Sequence, residues 1–345
     1  MCHDIEEYFI NKGMVNPRRS IHLIKRVVDF LELNLHNLTV FTEAASSEFI
    51  YTSIIAAMAG AEKVYAISKD SSYGLKEQIK TDTMLFAKLC GVENKIEVVF
   101  DKEKIGEAHI VTNLGFVRPI DKCTVDKMRE DAVVPYMCEA WEVRSGDVDI
   151  EYCKEKGINV VGTNENYPGL DVFNFSGYLA LKMLFDAKIE IYKSKIVIVS
   201  EDRFGSVIHN TLSKLSNDVI LIKEINEKNS ELVKDVDALI IADYTSNKCY
   251  IGKDNSQITS QELKKLSKSV TVIQFAGIVD IEDLNENNIF YYPKYEVGSF
   301  RMGKTLAYLG PKPIIDLHCA GLKVGELAYR NEYKLSGNKL CQNIL

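Results

Sequence analysis

The sequence is short of the features that most readily announce a function. Lys and Arg total 42 against 49 Asp and Glu, a net charge of -7, so nothing supplies the basic footprint of a nucleic-acid partner. No apolar run reaches the roughly 18 residues that a membrane span requires. The eight cysteines are scattered singly with no C-x-x-C pair, which argues against both a zinc site and a disulfide framework. The opening MCHDIEEYFI is acidic and lacks the layout of a secretory signal, so a reducing cytoplasm is the expected setting. Cys2, His3 and Asp4 could ligate a metal, but a frayed terminus is the expected reading there, and no metal is expected. No internal repeat or low-complexity stretch is evident.

What the chain does have is apolar content and alternation. With 345 residues, 46% of them hydrophobic, it can bury a large core, and two domains are expected. Ser20 could cap a helix whose Ile21, Ile24, Val28 and Leu31 share one face. Strand patterns at 38–41, 63–67, 96–100, 109–112, 132–136 and 159–161 then alternate with helical ones at 48–59, 75–89, 125–129 and 148–155. A long helix over 172–187 is apolar nearly all round and is expected to be buried. Alternation restarts with strands at 196–199, 219–222, 238–242, 270–275 and 290–292, and a last helix covers 314–329. This predicts an α/β fold of two Rossmann-like lobes with mainly parallel sheets, the C-terminal helix returning to the first lobe. The expected division is 1–170 plus 310–345 for the first lobe and 171–309 for a nucleotide-binding lobe.

The stretch Lys195 to Leu212 organises this second half. Ile196 to Val199 read as a strand buried on both faces, followed by a polar turn and a helix. That is the setting of a dinucleotide fingerprint, yet where the fingerprint needs three glycines the chain has Ser200, Asp202 and Gly205. Only the glycine that lets helix and strand approach is kept. A phosphate at this helix start would meet unpaired N–H groups but also the carboxylate of Asp202, which repels it and crowds its approach. Asp202 is equally readable as a helix N-cap. Arg203 could offset its charge, and Phe204 and Ser206 complete the turn. Glu224, about twenty residues on, either binds ribose hydroxyls or is a solvated loop residue. Ala242, Asp243 and Tyr244 end the next strand at the expected crevice mouth.

From about Glu107 onward the order of pieces resembles the D-isomer-specific 2-hydroxyacid dehydrogenases and formate dehydrogenases. The resemblance rests on Val148-Asp149-Ile150 through Lys156-Gly157-Ile158-Asn159-Val160-Val161 and Thr163-Asn164, and on Val279-Asp280-Ile281-Glu282-Asp283-Leu284. It implies NAD or NADP as cofactor, a small-molecule substrate and a homodimer formed through the cofactor lobe. It also implies a catalytic arginine, acid and histidine, and here the chain departs. Gln274-Phe275-Ala276-Gly277 carries no arginine, Pro293 is followed by Lys294 rather than histidine, and the acid has no counterpart. Ala276 would face a nicotinamide, and Lys294 stands where a proton-transferring group is expected, though an exposed, inert lysine is the plainer reading.

Other candidate catalytic residues are His318 in the last helix, otherwise a structural histidine, and the polar cluster Glu139, Trp141, Glu142 and Arg144, which could line a cleft. Two further function classes compete with an oxidoreductase. One is a non-catalytic dehydrogenase-like ligand-binding or assembly protein, which the missing catalytic set supports. The other is an S-adenosylmethionine-dependent methyltransferase, since Ala59 to Ile67 and Gly91 to Val99 resemble strands of that class. The loop Glu43-Ala44-Ala45-Ser46-Ser47-Glu48, however, lacks the glycines that would admit its cofactor.

Overall fold

The computed structural model describes residues 2–253, 255–332, 334 and 338–344. In chain order the strands are β1 (Thr39–Glu43), β2 (Lys63–Ile67), β3 (Ile96–Val99), β4 (Ile110–Val111), β5 (Val133–Tyr136), β6 (Asn159–Thr163), β7 (Ile196–Val199), β8 (Val219–Ile222), β9 (Ala238–Ala242), β10 (Cys249–Ile251), β11 (Ser256–Ile258), β12 (Thr271–Ala276), β13 (Ile278–Val279), β14 (Phe290–Tyr292) and β15 (Cys341–Asn343). The chain forms two units, Met1–Val172 with Gly310–Leu345, and Phe173–Leu309.

Unit 1 holds a seven-stranded sheet in the order β15-β6-β5-β4-β1-β2-β3. Six strands are parallel and only β15, on β6, is antiparallel. The order reverses between β1 and β4, which is where open α/β sheets leave a crevice at their carboxyl ends. One face is sealed by Phe41, Tyr65, Val111, Val134 and Tyr136 with the segments that follow β4 and β5. Against the other lies the helix Pro311–Tyr329, packed on β5, β6 and the helices Pro17–Phe30 and Tyr51–Met58. Its glycines make that approach possible. A Cβ at Gly325 would stand 2.9 Å from Ile110, and one at Gly321 2.3 Å from the Met137 sulfur. Ile315, Leu322 and Val324 are fully buried there, each stabilising by about 1.5–3 kcal/mol. The C-terminal helix thus belongs to the first unit, as the alternation predicts.

Unit 2 carries a parallel five-stranded sheet, β14-β12-β9-β7-β8, and a small parallel sheet β11-β10-β13. The small sheet is not visible in the sequence, because its strands span only two or three residues. The run Ile196–Val199 is buried along its whole length, as its β-branched composition requires of a central parallel strand. Here the order reverses between β7 and β9.

Several local expectations change. The first helix, Cys2–Asn11, is formed where fraying is expected. Asn16 rather than Ser20 caps the second: its side chain accepts from the Arg19 N–H, Pro17 takes the first turn and Ser20 is buried within the helix. The segment 125–129 is not a helix; the turn runs Lys122–Val125, set by Asp121 as N-cap. The helix expected over 172–187 begins as a short 3-10 turn and is α-helical over Phe175–Asp186. It is not buried all round, since Tyr178 is 56% and Phe185 54% exposed. No described helix is long and apolar enough to cross a membrane.

Candidate functional site

In unit 2 the crevice between β7 and β9 is already occupied by the chain. Asp202 caps the helix Arg203–Leu212, Oδ1 accepting from the Phe204 N–H at 2.8 Å. Its Oδ2 accepts from the Tyr244 N–H across the crevice at 2.6 Å. The Ser200 hydroxyl donates to Asp202 Oδ1 and accepts from the Gly205 N–H. The donors that a pyrophosphate would use at this helix start are therefore spent on an internal carboxylate. Burial pushes the Asp202 carboxyl above its ordinary value and the charge of Asp243 adds to this, against the two backbone N–H groups that favour the anion. Asp243 accepts from the Tyr250 hydroxyl at 2.5 Å and from the Glu201 N–H. The open cleft alongside is lined by Glu201, Asp202, Asp243 and Lys248, a surface that repels phosphate.

Gly205 does what the third fingerprint glycine does: a Cβ there would sit 2.4 Å from Ser200 Cβ and 3.0 Å from Leu221. Phe204, expected at the cofactor, faces inward instead, within ring-contact distance of Phe173, Tyr244 and Phe275. Burying that ring anchors the turn. Arg203 lays its guanidinium 4.9 Å from the Phe173 ring, and Ser206 is exposed. Glu224 is exposed and accepts from the Asn226 side chain.

At the other end of the crevice the expected nicotinamide position is covered. Segment Phe300–Gly303 crosses the carboxyl ends of β9 and β12. The Phe300 N–H donates to the Tyr244 carbonyl (3.1 Å) and the Gly303 N–H to the Phe275 carbonyl (2.7 Å), and Met302 bridges Ala276. Gly303 is needed for this, because a Cβ would lie 2.0 Å from the Gln274 carbonyl oxygen. Ala276 is consequently fully buried and not open to a ring. Ala242 is buried as well, in β9. Lys294 is exposed, its ammonium 3.9 Å from the Phe290 ring centre and 4.1 Å from that of Tyr291. Its ammonium is thus engaged with the faces of two aromatic rings.

The remaining candidates lie in unit 1. His318 is buried, with Nδ1 2.6 Å from the Thr52 hydroxyl, and burial pulls its pKa down to about 4. The imidazole is expected to stay neutral across the physiological range, and proton NMR following its ring signals should find a midpoint near pH 4. Because the unfolded histidine protonates near pH 6.5, it withdraws stability as pH falls from 6.5 to 4. A titration midpoint near 6.5 in the folded protein would contradict this burial. Glu139 is buried and accepts from Trp141 Nε1 (2.9 Å), Asn166 Nδ2 (2.7 Å) and Gln342 Nε2 (3.3 Å). With Glu142 it forms a capping box around the turn Ala140–Glu142. Arg144 follows that turn, its backbone N–H donating to the Tyr136 hydroxyl.

One residue that sequence reading passes over stands out. Glu43 ends β1 at the reversal point of unit 1 and is 5% exposed. Its Oε2 accepts from the Phe116 N–H at 2.9 Å. Burial raises its pKa to about 7, the Phe116 N–H and the Arg118 guanidinium only partly opposing this. In the sequence Glu43 opens a loop notable for lacking glycine, and nothing local signals that its side chain is enclosed. The segment enclosing it lies about seventy residues away.

No family model and no curated protein matches this chain. Solved structures do match in shape. The dipicolinate synthase chain from Bacillus halodurans superimposes with a TM-score of 0.52 at 10% identity, over 88% of this chain and 100% of that one. The dipicolinate synthase chain from Bacillus subtilis gives 0.54 at 10% identity, over 87% and 99%. A provisionally assigned D-3-phosphoglycerate dehydrogenase oxidoreductase from Ralstonia solanacearum gives 0.52 at 10% identity, over 88% and 97%. What these likenesses share with this chain is a fold, a Rossmann-like α/β architecture.

Proposed function

We propose that this chain is a divergent dehydrogenase-fold ligand-binding protein that holds NAD or NADP only weakly and does not oxidise 2-hydroxyacids. The observation that carries this reading is the Asp202 carboxylate, which accepts both the Phe204 and the Tyr244 N–H groups. A pyrophosphate placed there displaces a buried acceptor and faces its charge. Two unit charges 4 Å apart cost about 4 kcal/mol at an effective dielectric of 20. The stretch Gln274-Phe275-Ala276-Gly277 carries no arginine, and Lys294 rests on aromatic rings. In this reading residues 171–309 are the nucleotide-type lobe and 1–170 with 310–345 the first lobe. The ligand is a small molecule rather than a nucleic acid, and the setting is the cytoplasm.

Calorimetry of the intact chain with NAD, NADP and S-adenosylmethionine tests it. Weak heats with the dinucleotides and none with S-adenosylmethionine are expected. Submicromolar NAD affinity together with NAD-dependent oxidation of any 2-hydroxyacid would overturn the reading, and tight S-adenosylmethionine binding alone would replace it. A homodimer is part of the same proposal, supported by Tyr178, Phe185, Tyr192 and Leu215, all exposed on unit 2. Apolar side chains of that number in the open favour an interface.

A further inference from the structure

Unit 1 holds a cavity of about 320 Å³ framed by three segments: the turn after β1 at Ser46, Ser47 and Glu48, the turn after β2 at Tyr73 and Gly74, and the chain leaving the first helix. That volume lies in the range of small-molecule sites, which begins at about 300 Å³. Phe9, Ile50 and Ile79 give it a buried apolar lining. Tyr73 adds an aromatic ring that is 83% exposed. Its turn is tied rather than frayed: Ser71 and Gly74 exchange backbone hydrogen bonds, and the Tyr73 N–H donates to the Ser71 hydroxyl at 3.1 Å. A fixed ring left in water gains by being covered. The Ser47 backbone is left-handed at φ 57°, a strained conformation of the kind that gathers at ligand sites.

Pairing around the cavity decides the ligand. Lys12 Nζ stands 2.7 and 2.8 Å from the two oxygens of Asp82, which also accepts from the Tyr8 hydroxyl and Gln78 Nε2. That pair is neutral and its members are engaged with each other. The Glu48 side chain makes no hydrogen bond or ion pair with any described residue, and neither do the hydroxyls of Ser46 and Ser47. The one unpaired full charge of the lining is therefore negative. The helix turn that starts at Ser47 opposes it with only about half a charge. An anionic ligand is repelled. No group of three or more metal-ligating side chains gathers among the described residues, so an inorganic ion lacks its cage.

We propose that this cavity binds a small primary amine carried on an apolar body. The three N–H donors of an ammonium match the Glu48 carboxylate and the Ser46 and Ser47 hydroxyls, while the body covers Phe9, Ile50, Ile79 and Tyr73. All of these residues belong to unit 1, so the site is independent of the dinucleotide reading of unit 2.

The test is an amide-resolved NMR titration of the intact chain with three ligands of one shape and different charge: 2-phenylethylamine, 2-phenylethanol and phenylacetate. The amides of Ser47, Glu48 and Gly74 are the reporters. The amine is expected to give saturable shifts there, with an affinity at least about tenfold above that of the alcohol, and phenylacetate none. Glu48→Gln removes the charge from a half-buried position and is expected to weaken the amine by about tenfold while leaving the alcohol unchanged. Equal affinity for amine and alcohol in the native chain would overturn the proposal without reliance on any variant. So would the absence of saturable shifts with the amine, or amine binding that Glu48→Gln leaves intact.

Discussion

Asp202→Gly should tighten NAD binding by about tenfold or more while destabilising the protein by about 2 kcal/mol. The gain follows from freeing the Phe204 and Tyr244 N–H groups and removing a charge from the phosphate path. The loss needs more care. Glycine at an N-cap alone costs only a few tenths of a kcal/mol, which is all a sequence-level reading of Asp202 as a cap would allow. The structure adds a second bond, to the N–H of Tyr244, a residue only 2% exposed. An unsatisfied buried donor costs about 1–3 kcal/mol. Urea unfolding and calorimetry on the same variant read both effects. A stability loss of only a few tenths, or unchanged NAD affinity, would show that Asp202 does not occupy the phosphate position.

Glu43→Gln should stabilise the protein at neutral and higher pH, and the sign is fixed by linkage. The folded carboxyl titrates at about 7, against an ordinary value of 4.5. Between those values the native state binds the proton that the unfolded chain releases, so stability falls as pH rises through this window. A displacement of that size corresponds to about 3 kcal/mol, complete above pH 7 and absent below pH 4.5. Glutamine has the same shape, keeps a carbonyl oxygen for the Phe116 N–H and never ionises. Unfolding curves at several pH values should therefore show the native chain and the variant converging at acid pH and separating by about 3 kcal/mol at pH 8. Parallel curves over that range would mean that Glu43 ionises freely and is not enclosed.

Much of the architecture was legible because burial writes itself into local composition. Ile196–Val199 reads as a central strand since four adjacent β-branched side chains have no other economical use. The two short matches to the dehydrogenase family have a plainer basis. In Val148-Asp149-Ile150 and Val279-Asp280-Ile281 the aspartate caps a helix, accepting from the Tyr152 and Asp283 N–H groups. Any strand-to-helix turn of this type favours the same residues, so those matches report local geometry. The candidate sites were legible only in part. Asp202 was visible as a disturbed glycine position, but its bond to Tyr244 joins residues 42 apart. The covering of Ala276 by Phe300–Gly303 depends on the chain doubling back after β14, and no periodicity encodes that. Glu43 was hidden for the same reason, because its enclosure comes from the segment after β4.

The division of the chain sets an order of assembly. Unit 2 is one continuous stretch, Phe173–Leu309, whereas unit 1 needs Gly310–Leu345 as well. A chain leaving the ribosome has therefore made the whole of unit 2 before it makes the helix Pro311–Tyr329 that covers one face of the unit 1 sheet. Until that helix arrives, the face carrying Ile110, Pro135 and Met137 stands bare to water, and β6 lacks its antiparallel neighbour β15. Exposed strand edges and apolar faces are where nascent chains associate wrongly. The half of the protein translated first is thus the last to be completed.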